Sequence, residues 1–461
     1  MMLYIIFPAI LLFTGVVLVV AMYITQLSQK NIVLENTLPS ELLHHTTVKK
    51  VLTTMLKRMS ATVIITCVLS CLTSFIPFDS IQLFAFFFLL FGMLALIFWE
   101  HILAIGEVKE FKQKMLGVTE ENEKRTVLID THVVSQKEKG VISPIWFCMP
   151  ILSSIVSLVY LLQHTKMWSS IFTLSILIVL FLVILLYLYK TVRKLPVKAI
   201  TYNTKINFIL SSIRKKAWNK MILLLIGYSA VLIFITSIGL STTDYQKNIF
   251  ALVILLVATI FLIVSLFILL AKLRQQMNLH LQGVKIIEEA NEDKYWRYGV
   301  YINKNDPRLF VPYRTNLQIT INLGTKIGKG ILIGIFGFII VLITSLSLML
   351  AYNDFTPQPF TIQKEKNALV LHHFLTTKKI PESKIESIEL IDTKLKNVVK
   401  VAGTNSKHYN TGEFTVNGKS SFLLIHNNVR KMIEIKTPEK VYYLNYRTAE
   451  ETNSVYQTIT K

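Results

Sequence analysis

The chain has 461 residues, of which 52% are apolar and 17% are charged, and its mean hydropathy is +0.50. This balance excludes an ordinary soluble protein and predicts a multi-pass membrane protein. The net charge of +21 would suit a nucleic-acid-binding protein, but the positions of the basic residues argue against that class.

Eight apolar runs are long enough, at about 20 residues each, to cross a bilayer as helices. We therefore predict an α-helical polytopic membrane bundle of about eight spans. Residues 1–271 would hold seven spans with basic inner loops, 272–329 a cytoplasmic loop, and 330–351 the last span. In chain order the runs are Leu3 to Tyr23, Ala61 to Pro77, Ile81 to Ile102, Ile142 to Leu162, Trp168 to Tyr189, Met221 to Leu240, Ile249 to Ala271 and Gly330 to Ala351.

The basic residues predict the orientation of these spans. If the amino terminus lies outside, the four inner intervals carry 31 Lys and Arg residues, whereas the outer intervals carry only Lys166 and Lys247. Such an asymmetry follows the positive-inside rule, and the inner lysines and arginines would also attract anionic lipid headgroups. An even number of spans then returns the carboxyl terminus to the outside of a bacterial plasma membrane.

The loop before the last span interleaves aromatic and basic residues. A segment of this kind can lie along the bilayer with its rings in the headgroup boundary, or it can be a small folded loop with ordinary aromatic packing. We take the first interpretation as the prediction, with a membrane surface or a partner as the target. The residues concerned are Tyr295, Trp296, Arg297, Tyr298, Arg308 and Phe310.

Two further segments predict membrane-related structure. The inner loop from Lys190 to Lys220 carries nine basic residues and no acidic one, which favours a helix on the membrane surface. In the last span, Gly330 and Gly334 are one helical turn apart, a spacing that lets two helices approach closely. We predict that these glycines pack within the bundle.

From Phe360 onward the apolar pattern changes to short alternating runs separated by turns. Asn417-Gly418 is the best hairpin turn, and Thr448 to Glu451 forms a capping box for a final helix. We predict that residues 352–461 form an all-β barrel or sandwich closed by one α-helix. Its location would be extracytoplasmic.

The chain shows no motif of a hydrolase, metalloprotease or dinucleotide-binding enzyme. Gly418-Lys419-Ser420 is the nearest fragment of a phosphate-binding loop, but it lies between two predicted strands and reads as a hairpin. The three cysteines lie inside spans, and the histidines lack partners at metal-ligand spacing. We therefore predict a protein that is not an enzyme and has no cofactor or metal.

The carboxyl-terminal segment resembles the bacterial pleckstrin-homology-like domain. The resemblance rests on Ile380 to Leu390, on the Gly412-Glu413-Phe414 turn, and on Tyr443-Leu444-Asn445 before the helix that contains Glu451-Thr452. It implies a pleckstrin-homology-like β domain that can bind a peptide or protein ligand.

The block from Asp293 to Gly324 is similar to a cytoplasmic motif of multi-pass proteins in Gram-positive bacteria. There an acidic Tyr-Trp-x-x-Gly element precedes Asn-x-Asp-Pro and a closing Asn-x-Gly, and the proteins are related to the immunity protein of the sporulation-delay toxin system. The family's outer Pro-x-His-Phe/Trp-Asn element is reduced here to Gln163-His164-Thr165-Lys166-Met167. The resemblance implies resistance to, or sensing of, membrane-active peptides or envelope stress.

Two other classes stay open. A transporter or permease component would need charged groups inside the membrane, which the spans lack. An envelope scaffold would use the β domain to assemble other proteins. The pleckstrin-homology resemblance does not by itself imply phosphoinositide binding, because a fold does not fix a function.

Overall fold

The computed structural model describes residues 3–26, 32–39, 41–117, 142–164, 168–193, 200–241, 245–284, 290–313, 319–374, 376–406 and 408–460. Eight helices in these ranges are long and apolar enough to cross a membrane, which confirms the predicted polytopic bundle. Because each run of about 20 apolar residues satisfies its backbone hydrogen bonds internally, a helix is the structure that it adopts in lipid. The carboxyl-terminal β domain and its closing helix are also confirmed.

The nine α-helices of the described ranges are numbered in chain order. They are α1 Leu3–Gln26, α2 Thr46–Thr73, α3 Asp79–Leu116, α4 Cys148–His164, α5 Trp168–Arg193, α6 Thr204–Ser241, α7 Tyr245–Leu281, α8 Lys326–Phe355 and α9 Ala449–Thr460. A 3₁₀ turn, Pro144–Phe147, leads into α4.

Several helices continue beyond the hydrocarbon core. The 38 residues of α3 and of α6 each span about 57 Å, nearly twice a bilayer core. The predicted surface helix of the third inner loop is therefore wrong for the described part: residues 204–220 form the first turns of α6 and enter the membrane without a break. Propagating an existing helix adds one hydrogen bond per residue and needs no new nucleus. Residues 194–199 of that loop, and 118–141 of the second inner loop, lie outside the described residues.

The bundle has separate apolar cores. Helices α1, α2 and α3 share one core, in which Leu11, Met59 and Met93 are fully buried. Helices α5, α6 and α7 share a second core that includes Trp218, and α4, α5 and α6 share another that includes Leu174. Helix α8 packs along α3 and leaves most of its apolar side chains exposed. Such exposure fits contact with lipid.

Thirteen short strands are found in the described ranges. Two small hairpins pair β1 Ile32–Val33 with β2 Asn36–Thr37, and β3 Phe310–Pro312 with β4 Ile319–Ile321. The β domain holds a three-stranded antiparallel sheet, β5 Phe360–Glu365, β6 Ala368–His373 and β7 Thr376–Pro381. Its six-stranded sheet has the order β8-β12-β13-β11-β10-β9, with β8 Ser387–Asp392, β9 Val398–Asn405, β10 Tyr409–Val416, β11 Lys419–His426, β12 Lys431–Lys436 and β13 Val441–Leu444.

Local signals in the β domain act as predicted. Val416 pairs with Lys419, and the two turn residues between them, Asn417 and Gly418, have positive φ angles of 50° and 80°. A two-residue hairpin turn requires this backbone, and asparagine and glycine adopt it most easily. At α9, the Glu451 amide donates to the Thr448 hydroxyl at 3.1 Å, and the Thr448 amide donates to the Glu451 carboxylate at 3.3 Å. This is the predicted capping box.

The β domain and the turn between α2 and α3 lie on the same face of the bundle. The Ser80 amide, in the first turn of α3, donates to Asp354 at the end of α8 at 2.8 Å. The hairpin β1–β2 and the loop before α8 lie at the other end of α3, where Asn36 donates to the Ile105 carbonyl at 3.0 Å. If successive spans cross the membrane in opposite directions, as predicted, the β domain and the loop before α8 must lie on opposite faces of the bundle.

We expect the β domain to face outward, because the basic loops favour the inner face. In a background without cysteine, Glu439→Cys in the β domain and Lys304→Cys in the opposite loop both place a thiol at an exposed position. A membrane-impermeant maleimide added to intact cells should label the first variant and leave the second unlabelled until the cells are opened. The reverse pattern would place the β domain inside.

Candidate functional site

Asp293 joins three segments of the chain on the face opposite the β domain. Its carboxylate accepts hydrogen bonds from the Thr37 amide at 3.0 Å and from the Thr37 hydroxyl at 2.9 Å. It also pairs with the Lys112 ammonium at 2.9 Å, where the carboxyl side chain is only 8% exposed. Charge-assisted bonds of this kind are stronger than neutral ones, and each bond here joins residues far apart in sequence. The β1–β2 hairpin, the end of α3 and the loop after α7 are thus held together.

We call residues 293–313 and 319–324, with the β1–β2 hairpin on which they rest, the loop cluster. Trp296 lies in its interior and is 1% exposed. The Trp296 ring centroid is 5.1 Å from that of Tyr301 and 4.8 Å from that of Tyr313, and Val311 packs beside them. The Tyr313 hydroxyl donates to the Glu35 carboxylate and so ties the aromatic group to the hairpin.

This packing corrects the predicted position of Trp296. Its ring is enclosed by protein and cannot enter a headgroup boundary, so the folded-loop interpretation applies to it and to its neighbour Tyr295. Phe310 is half-buried, and its ring stands edge-on to Tyr187 at 5.3 Å. The sequence pattern did not separate the two interpretations because aromatic residues among charges serve both.

A network of side chains closes the second half of the loop cluster. The Tyr301 hydroxyl donates to Asp306 at 3.0 Å and accepts from the Asn303 amide group at 3.0 Å. The Asn322 amide group donates to the carbonyls of Asn303 and Asp306, both at 2.9 Å, and its oxygen accepts from the Asn303 amide at 3.0 Å. These bonds give a structural reason for the Asn-x-Asp-Pro and Asn-x-Gly elements: their side chains replace the backbone partners that a loop lacks.

Asp306 is the charged member of this network. The side-chain hydrogen bonds from Arg308 are the main cause of its pKa falling to about 2, and the bond from Tyr301 adds to the effect. Burial opposes the shift but is outweighed. Arg308 itself stays about half exposed. It therefore holds the loop together while it presents part of its charge to the surroundings.

Two glycines let the loop cluster pack closely. A Cβ atom at Gly324 would lie 2.3 Å from the Asn303 carbonyl carbon, so the backbones touch there. Gly299 has a φ of 69°, and a Cβ atom on it would lie 2.9 Å from the His101 ring. This contact sets the loop cluster against α3.

Arg297 and Tyr298, like Arg308, are predicted surface residues that do lie on the surface. Tyr298 is 47% exposed and precedes Gly299, which contacts α3 at His101. Trp99, two residues earlier in α3, is 58% exposed. Exposed aromatic rings at the end of a spanning segment are typical of the headgroup level. The membrane-surface role of Arg297 and Tyr298 stays a prediction.

The predicted helix packing at Gly330 and Gly334 is wrong for the described chain. A Cβ atom on either residue would meet no atom within 4 Å. Helix α8 packs against α3 through a different face, and the two glycines lie on the open side. Glycine spacing alone does not say which face of a helix has a neighbour.

A second set of hydrogen bonds joins the β domain to the bundle, and we call this set the domain junction. Asp354 caps α3 by accepting from the Ser80 amide, and the side-chain oxygen of the neighbouring Asn353 accepts from the His373 ring Nε2 at 2.8 Å. Arg447, just before α9, donates to the carbonyls of Asp354 and Thr356 at 3.3 and 2.8 Å. The sequence offered no sign of these contacts, which join residues far apart in sequence.

Further groups in the β domain carry shifted pKa values. Burial raises the pKa of the Glu413 carboxyl, but ion pairs with Lys378 and Lys440 outweigh burial and hold it below its usual value. Burial and the nearby Arg447 charge lower the pKa of His426 to about 4. Glu413 thus joins the three-stranded sheet to the six-stranded one, and His426 stays neutral near the domain junction.

The comparisons with known proteins bear on the β domain. Residues 361–451 match the family model described as the bacterial PH domain. The chain carries a bacterial PH domain. The match covers about a fifth of the chain and says nothing of the helices or the loop cluster. No curated protein and no solved structure is similar enough to match this chain.

The matched residues 361–451 include none of the elements that resemble the sporulation-delay immunity family. The shortened outer element, Gln163 to Met167, falls partly outside the described residues, which end at His164 and resume at Trp168. The similarity of residues 293–324 to that family's cytoplasmic motif remains an expectation from the sequence.

We expect Gly324→Ala to destabilise the loop cluster, because the added methyl group would meet the Asn303 backbone. Overpacking of this kind typically costs about 1–3 kcal/mol. Gly330→Ala is the matched control, since its methyl group would enter open space. Hydrogen exchange of peptides from residues 293–324 in the purified full chain should rise for the first variant only. Equal exchange in both variants would contradict the close packing.

The Asp306 carboxylate should make the loop cluster sensitive to acid. Its folded-state pKa of about 2 lies below an unfolded value of about 4. The stabilisation is therefore complete above about pH 4 and is lost as the pH falls through about 2. Trp296 emission in a single-tryptophan variant should follow this loss. Asp306→Asn should be less stable at pH 7 and should lack the acid-dependent step.

Proposed function

We propose that this chain is a non-enzymatic membrane protein that couples its bacterial PH domain to the loop cluster on the opposite face. Its biological role would be to sense, or to confer resistance to, membrane-active peptides or envelope stress. The PH domain would receive the stimulus, and the loop cluster would respond on the inner face. This role rests in part on the resemblance of residues 293–324 to the immunity-protein family.

One observation supports the coupling: helices α3 and α8 each have one end at the domain junction and the other end at the loop cluster. Helix α3 starts at the domain junction, where Ser80 binds Asp354, and reaches the loop cluster, where Lys112 binds Asp293. Helix α8 starts in the loop cluster, where the Gly328 amide donates to the Thr325 hydroxyl at 3.0 Å, and ends in the domain junction. The two helices pack along each other.

The contacts at both ends supply the means of coupling. A packed helix moves as a unit, because its backbone hydrogen bonds resist compression and its side chains interdigitate with those of its neighbour. A shift of the PH domain would therefore act on α3 and α8 together through Asp354. The loop cluster holds the far ends of both helices, so it would feel a displacement of either. Coupling of this kind requires only that the ligand prefer one arrangement.

A bacterial strain that lacks the gene for this chain tests the biological role. We expect it to be more sensitive than its parent to at least one membrane-active peptide, or to change the transcription of envelope-stress genes. A panel of such peptides and a whole-transcript comparison measure both effects. A strain unchanged in every peptide sensitivity and in every transcript would refute the role.

We expect Asp354→Ala to uncouple the two faces while the protein stays in the membrane. The change removes the acceptor of the Ser80 amide and frees the first turn of α3 from the PH domain. Glu450→Ala, at an exposed position of the PH domain, is the control. Complementation of the deletion strain should fail with the first variant and succeed with the second, at equal protein levels. Full complementation by Asp354→Ala would rule out coupling through this contact.

A further inference from the structure

The PH domain carries a group of unpaired lysines at one end of its six-stranded sheet. We call Lys394, Lys396, Lys400 and Lys419 the basic tip. All four are exposed, and none has a carboxylate partner among the residues that the structure describes. Six other lysines of the domain are paired, namely Lys364, Lys378, Lys379, Lys384, Lys436 and Lys440. The basic tip therefore groups four exposed lysines on two adjacent turns and the strands that follow them, whereas half of the domain's described lysines are held in ion pairs.

The strand register brings the basic tip together. Val416 pairs with Lys419 on one side and with Val398 on the other, so these three residues form one row across the sheet. Neighbouring strands are about 4.8 Å apart, which places the Lys419 and Val398 backbones about 10 Å from each other. Lys396 and Lys400 lie two residues to either side of Val398.

The two turns that carry the basic tip support each other. Asn397 has a φ of 49°, and its side-chain amide group donates to the Asn417 side-chain oxygen at 3.4 Å. Leu395 packs into the apolar core beside Val398 and separates Lys394 from Lys396. The lysines thus project from a fixed base, and ordering them on a ligand costs side-chain entropy but little backbone entropy.

The basic tip is remote from the domain junction. Strand β10 starts at Tyr409, which is 2% exposed; burial, and after it the nearby Asp354 charge, raise the pKa of its hydroxyl. The strand ends at Val416, about 23 Å away along its length. Charges in water are largely screened beyond about 10 Å at moderate ionic strength. The headgroups beside the junction are therefore poor partners for these lysines.

The amino-acid composition of the basic tip favours a flexible polymer over a folded protein as its partner. Protein interfaces are enriched in aromatic residues and arginine and depleted in lysine. The basic tip has four lysines and no arginine, and no large apolar side chain is exposed among the described residues after Phe374. Lysine binds anionic groups as a mobile point charge and needs no fixed geometry in its partner.

We infer that the basic tip binds a flexible linear polyanion, whose anionic groups are phosphates or carboxylates. Binding would be electrostatic, reversible by salt, and independent of any signal passed through the membrane. It would hold the PH domain against an anionic polymer on its own side of the bilayer. This inference does not rest on the proposed sensing role.

The test uses the full chain in nanodiscs of zwitterionic lipid and measures binding of fluorescent long-chain polyphosphate, with polyglutamate of similar charge as a second probe. Replacing the four lysines of the basic tip by glutamine should weaken binding at least tenfold. The matched control replaces Lys366, Lys384, Arg430 and Lys431 by glutamine, which removes the same charge from other parts of the domain. It should retain most of the affinity.

The two probes distinguish phosphate from carboxylate as the preferred group. Several results would overturn the inference: no binding of either probe by the unmodified chain, equal loss in the control variant, or unchanged binding in the variant of the basic tip. Nanodiscs of anionic lipid give a further check. If polyphosphate binding disappears in them at the same ionic strength, the lysines contact the protein's own bilayer, and the inference is wrong.

Discussion

The Asp293 carboxylate binds the Thr37 backbone, the Thr37 hydroxyl and the Lys112 ammonium within a space that is largely closed to water. An ion pair in such a place is stable only when its remaining hydrogen-bonding positions are filled, and the two bonds from Thr37 fill them. The loop cluster depends on this arrangement, because Asp293 contacts the hairpin and α3 at once and so joins both to the loop after α7. The aromatic packing around Trp296 adds apolar burial to a geometry that the charges have fixed.

The second constraint is the length of α3. A helix that extends beyond the hydrocarbon core carries Lys112 to the loop cluster, where its ammonium pairs with Asp293. Its other end remains at the opposite face and takes its cap from Asp354, a residue of α8. The PH domain and the loop cluster are therefore not separate attachments to a membrane bundle. They contact the two ends of one packed pair of helices, which is the physical basis of the proposed coupling.

The PH domain adds a charge pattern of its own. Six of its lysines pair with nearby carboxylates, and the Lys378–Glu413–Lys440 group joins its two sheets. The lysines of the basic tip lack such partners and stand on a rigid base at the end remote from the bundle. The domain thus contacts the bundle at the domain junction, while the lysines that we propose to bind a polyanion lie at its other end.

The sequence alone determined the eight spans, their alternation, most strands of the PH domain, the Asn417-Gly418 hairpin and the Thr448–Glu451 capping box. All of these follow from local periodicity or from the conformations that a few adjacent residues allow. Strands β5 and β7 carry weak local signals, because Lys364 and Glu365 interrupt the apolar alternation of the first, and Lys378, Lys379 and Pro381 that of the second. Only the tertiary structure decided that Trp296 is buried, that Gly330 and Gly334 face open space, and that β13 runs parallel to β11. Those outcomes depend on which distant segment arrives as a neighbour, as Lys112 does for Asp293 and Ser80 for Asp354, and a local pattern does not specify that neighbour.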